Sequence, residues 1–274
     1  MKHVSKILLS TMVLGAIAAS PLTTFAAEDG EHGGVYNSNG VIEFTPSQDP
    51  TDPVDPTDPT DPVQPIDPTD PTKPVEPGTN GPLSIDFASS LDFGKQKITS
   101  EDKVYQASAQ PYQKLGEDGK PTGDILYGPD YVQVTDNRGT EAGWSLTVAQ
   151  EKQFTGTANH ELTGAAITLK GANIQTASES AKPTPNASDL TLVPGEVSPV
   201  MSAQAGQGAG TYLNDWGTKD DLSVVQEDGK DVTKTNNIQL AVPGATTKYA
   251  EKYSTKLVWT LTDVPGNSDP EGNA

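Results

Sequence analysis

The sequence predicts an all-β chain, an antiparallel β-sandwich or barrel of about ten or more short strands. Three observations carry this. Stretches such as "YVQVTD", "WSLTVAQ" and "KLVWTLTDV" place β-branched or aromatic residues at every second position, the period of a strand with one buried face. The groups "GEDG", "DNRG", "VPG" and "EDG" separate such stretches as turns, and helical periodicity is nearly absent. The 274 residues include no cysteine, which removes disulfides, thiolate metal sites and a cysteine nucleophile together, so stability has to come from burial.

Taken in order, residues 1–27 read as an export signal. Lys2 and Lys6 precede a short apolar run from Ile7 to Ala19, and Pro21 precedes "TTFAA", with cleavage after Ala26 or Ala27. That run is too short for a permanent membrane span, and no later stretch approaches the roughly 20 apolar residues a spanning helix needs. The expectation is a secreted, soluble protein. The tail "NSDPEGNA" is polar and acidic, with no LPxTG-type sorting motif before it, so retention at a cell surface is expected to be noncovalent. A formal net charge of −19 argues against nucleic acid and against anionic membrane as partners. The exclusion covers bulk attraction only and leaves room for a local basic patch inside an acidic whole.

Residues 28–48 form a short N-terminal segment with one predicted strand, Gly40 to Phe44. Residues 49–78 form a linker in which proline recurs at every third position from Pro50 to Pro77. Polyproline II has three residues per turn, so this spacing stacks the prolines along one edge. At about 3.1 Å per residue the stretch would span roughly 90 Å as a stiff acidic spacer. A ligand for a proline-reading partner is the other reading of it.

Residues 79–274 are long enough for one domain with a substantial core. "LSIDFASSLDF", "AAITLKGANI", "DLTLVPG", "LSVVQE" and "IQLAVPG" join the three stretches above as predicted strands. Catalytic patterns are hard to find. His160 is followed by Glu161 but lacks the second histidine of a helical zinc site, and no GxSxG elbow occurs. Acidic residues are abundant, yet nothing singles out a glycosidase-like carboxylate pair. The loops "QEDGKD" and "DNRGTE" could hold a cation weakly, but no metal or cofactor is expected. The glycine-rich run Ser202 to Asp221 is read as a long loop that packs Tyr212 and Trp216 back onto the domain, or that offers them to a carbohydrate ligand.

Two of the three tryptophans stand in near-duplicate settings, Trp144-Ser145-Leu146 and Trp259-Thr260-Leu261. By alternation Trp144, Leu146 and Val148 share one strand face, as do Leu257, Trp259 and Leu261. Two readings follow: large core anchors, or an exposed aromatic shelf that stacks on sugar rings.

At these residues the sequence resembles the WxL-domain family of surface proteins from low-GC Gram-positive bacteria. The paired motifs match the family's proximal and C-terminal signatures. The likeness extends to "GPLSIDFASSLDFG" (Gly81 to Gly94), to "MSAQAGQGAGTYLNDWG" (Met201 to Gly217), and to the export signal and acidic spacer. What the resemblance implies is noncovalent attachment to the bacterial wall, chiefly to peptidoglycan, with Trp144, Ser145, Leu146, Trp259, Thr260 and Leu261 as candidate wall-binding residues. It also implies company: other WxL proteins, a membrane-anchored WxL-interacting partner, and host extracellular matrix. The expected function is that of a non-enzymatic, wall-anchored surface protein. The alternatives are a protein-binding subunit of a surface complex, in which the N-terminal segment adds a strand to a sheet edge, and a carbohydrate-active enzyme.

Overall fold

A computed structural model describes residues 36–265. The export signal, His32 and the acidic tail lie outside the described residues. The chain divides into residues 1–43 and 44–274. In the first unit residues 36–43 are exposed and form neither helix nor strand, so the strand expected at Gly40 to Phe44 is not formed.

The second unit is all-β and antiparallel, as the alternation predicts, and its only helical turn among the described residues is Lys219–Asp221. The strands trace neither the two sheets of a sandwich nor one closed barrel. They form four main sheets arranged like the blades of a four-bladed propeller. The first sheet joins β1 (Val54–Asp55), β2 (Asp58–Pro65), β5 (Gln110–Leu115) and β6 (Pro121–Gly128) in that order. The second is built on β17 (Lys230–Val242). Its first half pairs with β16 (Leu222–Glu227), and its second half lies between β10 (Ala166–Leu169) and β4 (Lys103–Ser108), with β13 (Leu190–Thr191) beyond β10. The third runs β11 (Ala172–Gln175), β15 (Gly210–Trp216), β7 (Asp130–Asp136), β3 (Leu83–Ala88). The fourth runs β12 (Thr184–Pro185), β14 (Val197–Ala203), β8 (Trp144–Gln150), β19 (Leu257–Thr262). A short pair, β9 (Thr155–Gly156) with β18 (Tyr253–Ser254), completes the set.

Turn chemistry explains the connections that sequence had offered as weak cation loops. Between β16 and β17, Asp228 and Gly229 both have positive φ (49° and 76°), the type I′ pattern that suits a two-residue hairpin. After β7, Arg138 grips Asp136 with two bonds of 2.9 and 2.8 Å and donates a third to the Gly143 carbonyl at 2.8 Å. Neither loop is free to act as a cation cage: one is a hairpin tip, and the carboxylate of the other is taken by arginine.

The largest departure from expectation is the proline-rich stretch. Rather than standing off as a spacer along its whole length, it supplies β1 and β2 and docks on the domain. The residue after each proline decides how. Where it is threonine, in four of the five Asp-Pro-Thr triplets, its hydroxyl donates to the aspartate two residues back, at 2.7 Å in each of Thr57, Thr60, Thr69 and Thr72. Where it is valine, the side chain goes inward. Val63 is buried, and Val54 and Val75 pack against Phe87, Tyr131 and Leu213. Proline lacks an N–H, but the residues between supply donors, as in Val63 N to Pro53 O and Ile66 N to Pro111 O, both 2.9 Å. Gln133 locks the arm by accepting from Val54 N at 2.9 Å and donating to Asp52 O at 3.0 Å, and the Tyr131 hydroxyl donates to Val54 O at 3.1 Å.

This docking surface is rich in buried carboxyls. Asp55 of the arm accepts from the Tyr112 hydroxyl at 3.0 Å, and burial together with that aspartate pushes the phenol up to about 12. Asp86 is raised by burial, although Ser84, Thr135 and Gln133 bond it. Asp215 is raised well above the usual carboxylate range, first by burial and then by Asp55. On the other face of β7, Asp130 is raised by burial alone, and neither of its side-chain oxygens has a partner. A carboxyl whose folded pKa is raised holds its proton more tightly when folded. Its stabilisation is complete below the unfolded value near 4 and is lost as pH rises through the folded value. The melting temperature is therefore expected to fall from pH 5 to pH 8. Asp130→Asn should match the parent below pH 4 and be more stable at pH 8 by about 1–3 kcal/mol. Parallel melting curves across that range would refute the assignment.

Candidate functional site

The two tryptophan motifs lie on adjacent antiparallel strands, and their register explains the duplication. Leu146 of β8 pairs with Leu261 of β19, while Trp259 pairs with Val148. The leucines meet across the strands, and Trp144 and Trp259 fall at opposite ends of the same face, about four residues or 13 Å apart. On β15, Tyr212 and Trp216 are also four residues apart and face the same core. Trp144 packs on Tyr212 with ring centroids 6.4 Å apart, and Trp259 packs on Trp216 at 5.9 Å. The duplicated motif thus makes two aromatic rungs between one pair of sheets.

The rungs differ in exposure. Trp144 is fully buried, and its indole N–H donates to the Gly208 carbonyl at 3.0 Å. Gly208 has φ +80°, and a Cβ there would lie 2.5 Å from the Ala203 side chain and 2.7 Å from the Trp144 nitrogen, so the approach requires glycine. β8 lies between β14 and β19, which covers it on both edges, whereas β19 ends its sheet. Trp259 and Leu261 are accordingly half-buried, and Thr260 is exposed.

The structure places Tyr212 and Trp216 inside the domain. Both are buried on a strand, and the Tyr212 hydroxyl is spent on the Ser180 and Ala209 carbonyls. Trp144 and Leu146 have no exposed surface either. The glycine-rich connection itself shrinks to Gln204–Ala209, between β14 and β15.

Trp259 does reach a large groove, about 1370 Å³, bounded by the proline-rich arm, by residues 91–98 after β3 and by residues 248–259. Tyr249 and Tyr253 line it with Trp259. His160, expected in a polar loop, stacks beneath Tyr249 at 3.8 Å and meets Glu251 at 2.7 Å. The groove also carries Lys95, Lys97, Lys252 and Lys256, all exposed and none in an ion pair. Its carboxylates are mostly engaged by the protein. Glu251 is held below the usual range by Ala158 N–H first and then by His160, Asp67 accepts from Thr69, and Asp92 accepts from Gly94 N–H. Five lysines and five carboxylates line the groove, so its formal charge is near zero, and Lys95, Lys97, Lys252 and Lys256 are polar groups left there without an ion-pair partner. Local lysines of this kind are what an acidic whole still leaves room for. The run "KYAEKYSTK", Lys248 to Lys256, three lysines and two tyrosines in an acidic chain, was the legible signal.

The structure is thus an all-β module with aromatic and lysine side chains brought together in one groove. Over residues 31–265 the chain matches the family model described as WxL domain surface cell wall-binding, and it belongs to that family. No match was found among curated proteins or among solved structures. The family is one of wall binding, which places the protein at the cell-wall surface. No helix among the described residues is long and apolar enough to cross a membrane.

Proposed function

We propose that the chain is exported and binds peptidoglycan noncovalently through its WxL domain, with the groove beside Trp259 as the contact surface. The observation that carries this is the pairing of aromatic faces with unengaged lysines in one groove. Peptidoglycan offers sugar rings for stacking on Tyr249, Tyr253 and Trp259, and its stem peptides offer carboxylates to Lys95, Lys97, Lys252 and Lys256. Within this reading the protein is non-enzymatic and works in a surface complex with other WxL proteins and a membrane-anchored WxL-interacting partner. The motif residues act differently from one another: Trp144, Leu146 and Leu261 hold the sheet, and Trp259 alone of the two tryptophans presents a ring edge to the ligand.

Sedimentation of the full chain with purified peptidoglycan tests this. Lys252→Glu with Lys256→Glu, and separately Tyr249→Ala, should each reduce retention about tenfold, or about 1.4 kcal/mol, while the melting temperature stays within a degree or two. Retention should also weaken with added monovalent salt, because exposed charge pairs are screened. Undiminished retention by both variants would exclude the groove, and retention that strengthens with salt would exclude the lysines.

A further inference from the structure

Fifteen large apolar side chains are exposed among the described residues, and most stand singly, as on any protein surface. Six of them fall in two short runs. One is Val41, Ile42 and Phe44, exposed by 96, 76 and 85%. The other is Ile125, Leu126 and Tyr127 on β6, exposed by 50, 36 and 38%. Clustered exposed apolar groups mark interaction surfaces, and these two runs have complementary needs.

β6 ends its sheet and pairs only with β5, so one row of its backbone donors and acceptors is open. All but its last residue are exposed on both faces. Natural edge strands are guarded by lysine or by a covering element, yet the central part of this one, Asp124 to Tyr127, is apolar after a single aspartate. The run around Ile42 is the converse case: "GVIEF" has strand composition and no sheet, and between Tyr36 and Gln48 its one charge is Glu43. In a chain of net charge −19 these two stretches are where two copies meet with least repulsion.

We propose that Gly40–Phe44 of one copy adds as a strand to the open edge of β6 in a second copy, and that reciprocal exchange closes a two-fold dimer. The added strand pairs its backbone with β6 and covers Ile125 and Tyr127 with the side chains of one of its own faces. The edge lies in the sheet formed by the proline-rich arm and not in the groove assigned to the wall, so dimerisation and wall binding are separable.

The absence of cysteine makes the test clean. The chain without residues 1–27 should sediment as a dimer at tens of micromolar. Ile42→Asp with Phe44→Asp should raise the dissociation constant at least tenfold without moving the melting temperature, since both residues are exposed, and Ile125→Asp should do the same from the other side. Two differently tagged chains, one Ile42→Cys and one Ile125→Cys, should form a mixed disulfide on gentle oxidation. A monomer at every concentration, or a dimer indifferent to these substitutions, would overturn the proposal. So would a chain carrying both cysteines that closes on itself while the mixed pair does not link, because the strand would then belong to its own copy. Peptidoglycan is absent from these measurements, so their failure would leave the wall reading standing, and a failed wall assay would leave the dimer standing.

Discussion

Trp144→Ala is expected to cost about 3–5 kcal/mol, the range for deleting a fully buried aromatic side chain. That is a large share of the 5–15 kcal/mol that holds a typical domain together. The loss has two parts: a cavity against Tyr212, and a Gly208 carbonyl deprived of its indole donor. Trp259→Ala should cost less, about 1.5–3 kcal/mol, because its ring is only partly covered and keeps Trp216 on one side. The two substitutions should also separate in function. Trp144→Ala should lose wall retention only as far as it unfolds, so that retention returns at low temperature. Trp259→Ala should lose it even where the domain is fully folded. Thermal unfolding with peptidoglycan sedimentation at two temperatures reads both. Equal melting temperatures for the two variants would contradict the buried and edge positions assigned to β8 and β19.

Removal of the proline-rich arm should be comparably damaging. A chain beginning at Thr79 loses β1 and β2, uncovers Phe87, Tyr131 and Tyr112, and strips Gln133 of its backbone partners Asp52 and Val54. Uncovering three large side chains in part corresponds to roughly 3 kcal/mol or more. Urea unfolding of this chain beside one beginning at Phe44 should show a lower midpoint for the shorter one. A milder version isolates the packing: Val63→Asp places a charge at a buried site of the arm and should approach the deletion. If instead the two chains unfold at the same midpoint, the stretch is the free spacer that its proline period suggests. Thr79–Ala274 would then be a sufficient wall-binding unit.

The proline period was legible, and its consequence was not. Proline at every third position favours an extended chain whether that chain is solvated or docked. What distinguishes the cases is the residue after each proline, valine at 54, 63 and 75 and isoleucine at 66 against threonine at 51, 57, 60, 69 and 72. That signal became readable only once Phe87, Tyr131 and Leu213 were seen to form a surface that the valines could cover. The strands at Gln110–Leu115 and Gly210–Trp216 were missed for a related reason. Their buried faces include Gln110, Asn214 and Asp215, which blur alternation. Lys95, Lys97, Lys252 and Lys256 looked like scattered charges because the two segments that carry them are some 150 residues apart in sequence and meet only at the groove.

Alternation by itself determined that this protein is antiparallel and all-β, and that Trp144 shares a strand face with Leu146 and Trp259 one with Leu257 and Leu261, leaving open whether those faces meet a core or a ligand. It gave both tryptophans one local pattern, because side-chain direction along a strand depends only on the neighbours in sequence. Their different fates were decided by sheet order. β8 is enclosed between β14 and β19, so Trp144 is sealed beneath Gly208, while β19 has a partner on one side alone and leaves the edge of Trp259 at the groove. Strand order is fixed by pairings across more than a hundred residues, Leu146 with Leu261 among them. The free energy of such pairings is collected only when distant segments pack, so no local period in the sequence records it.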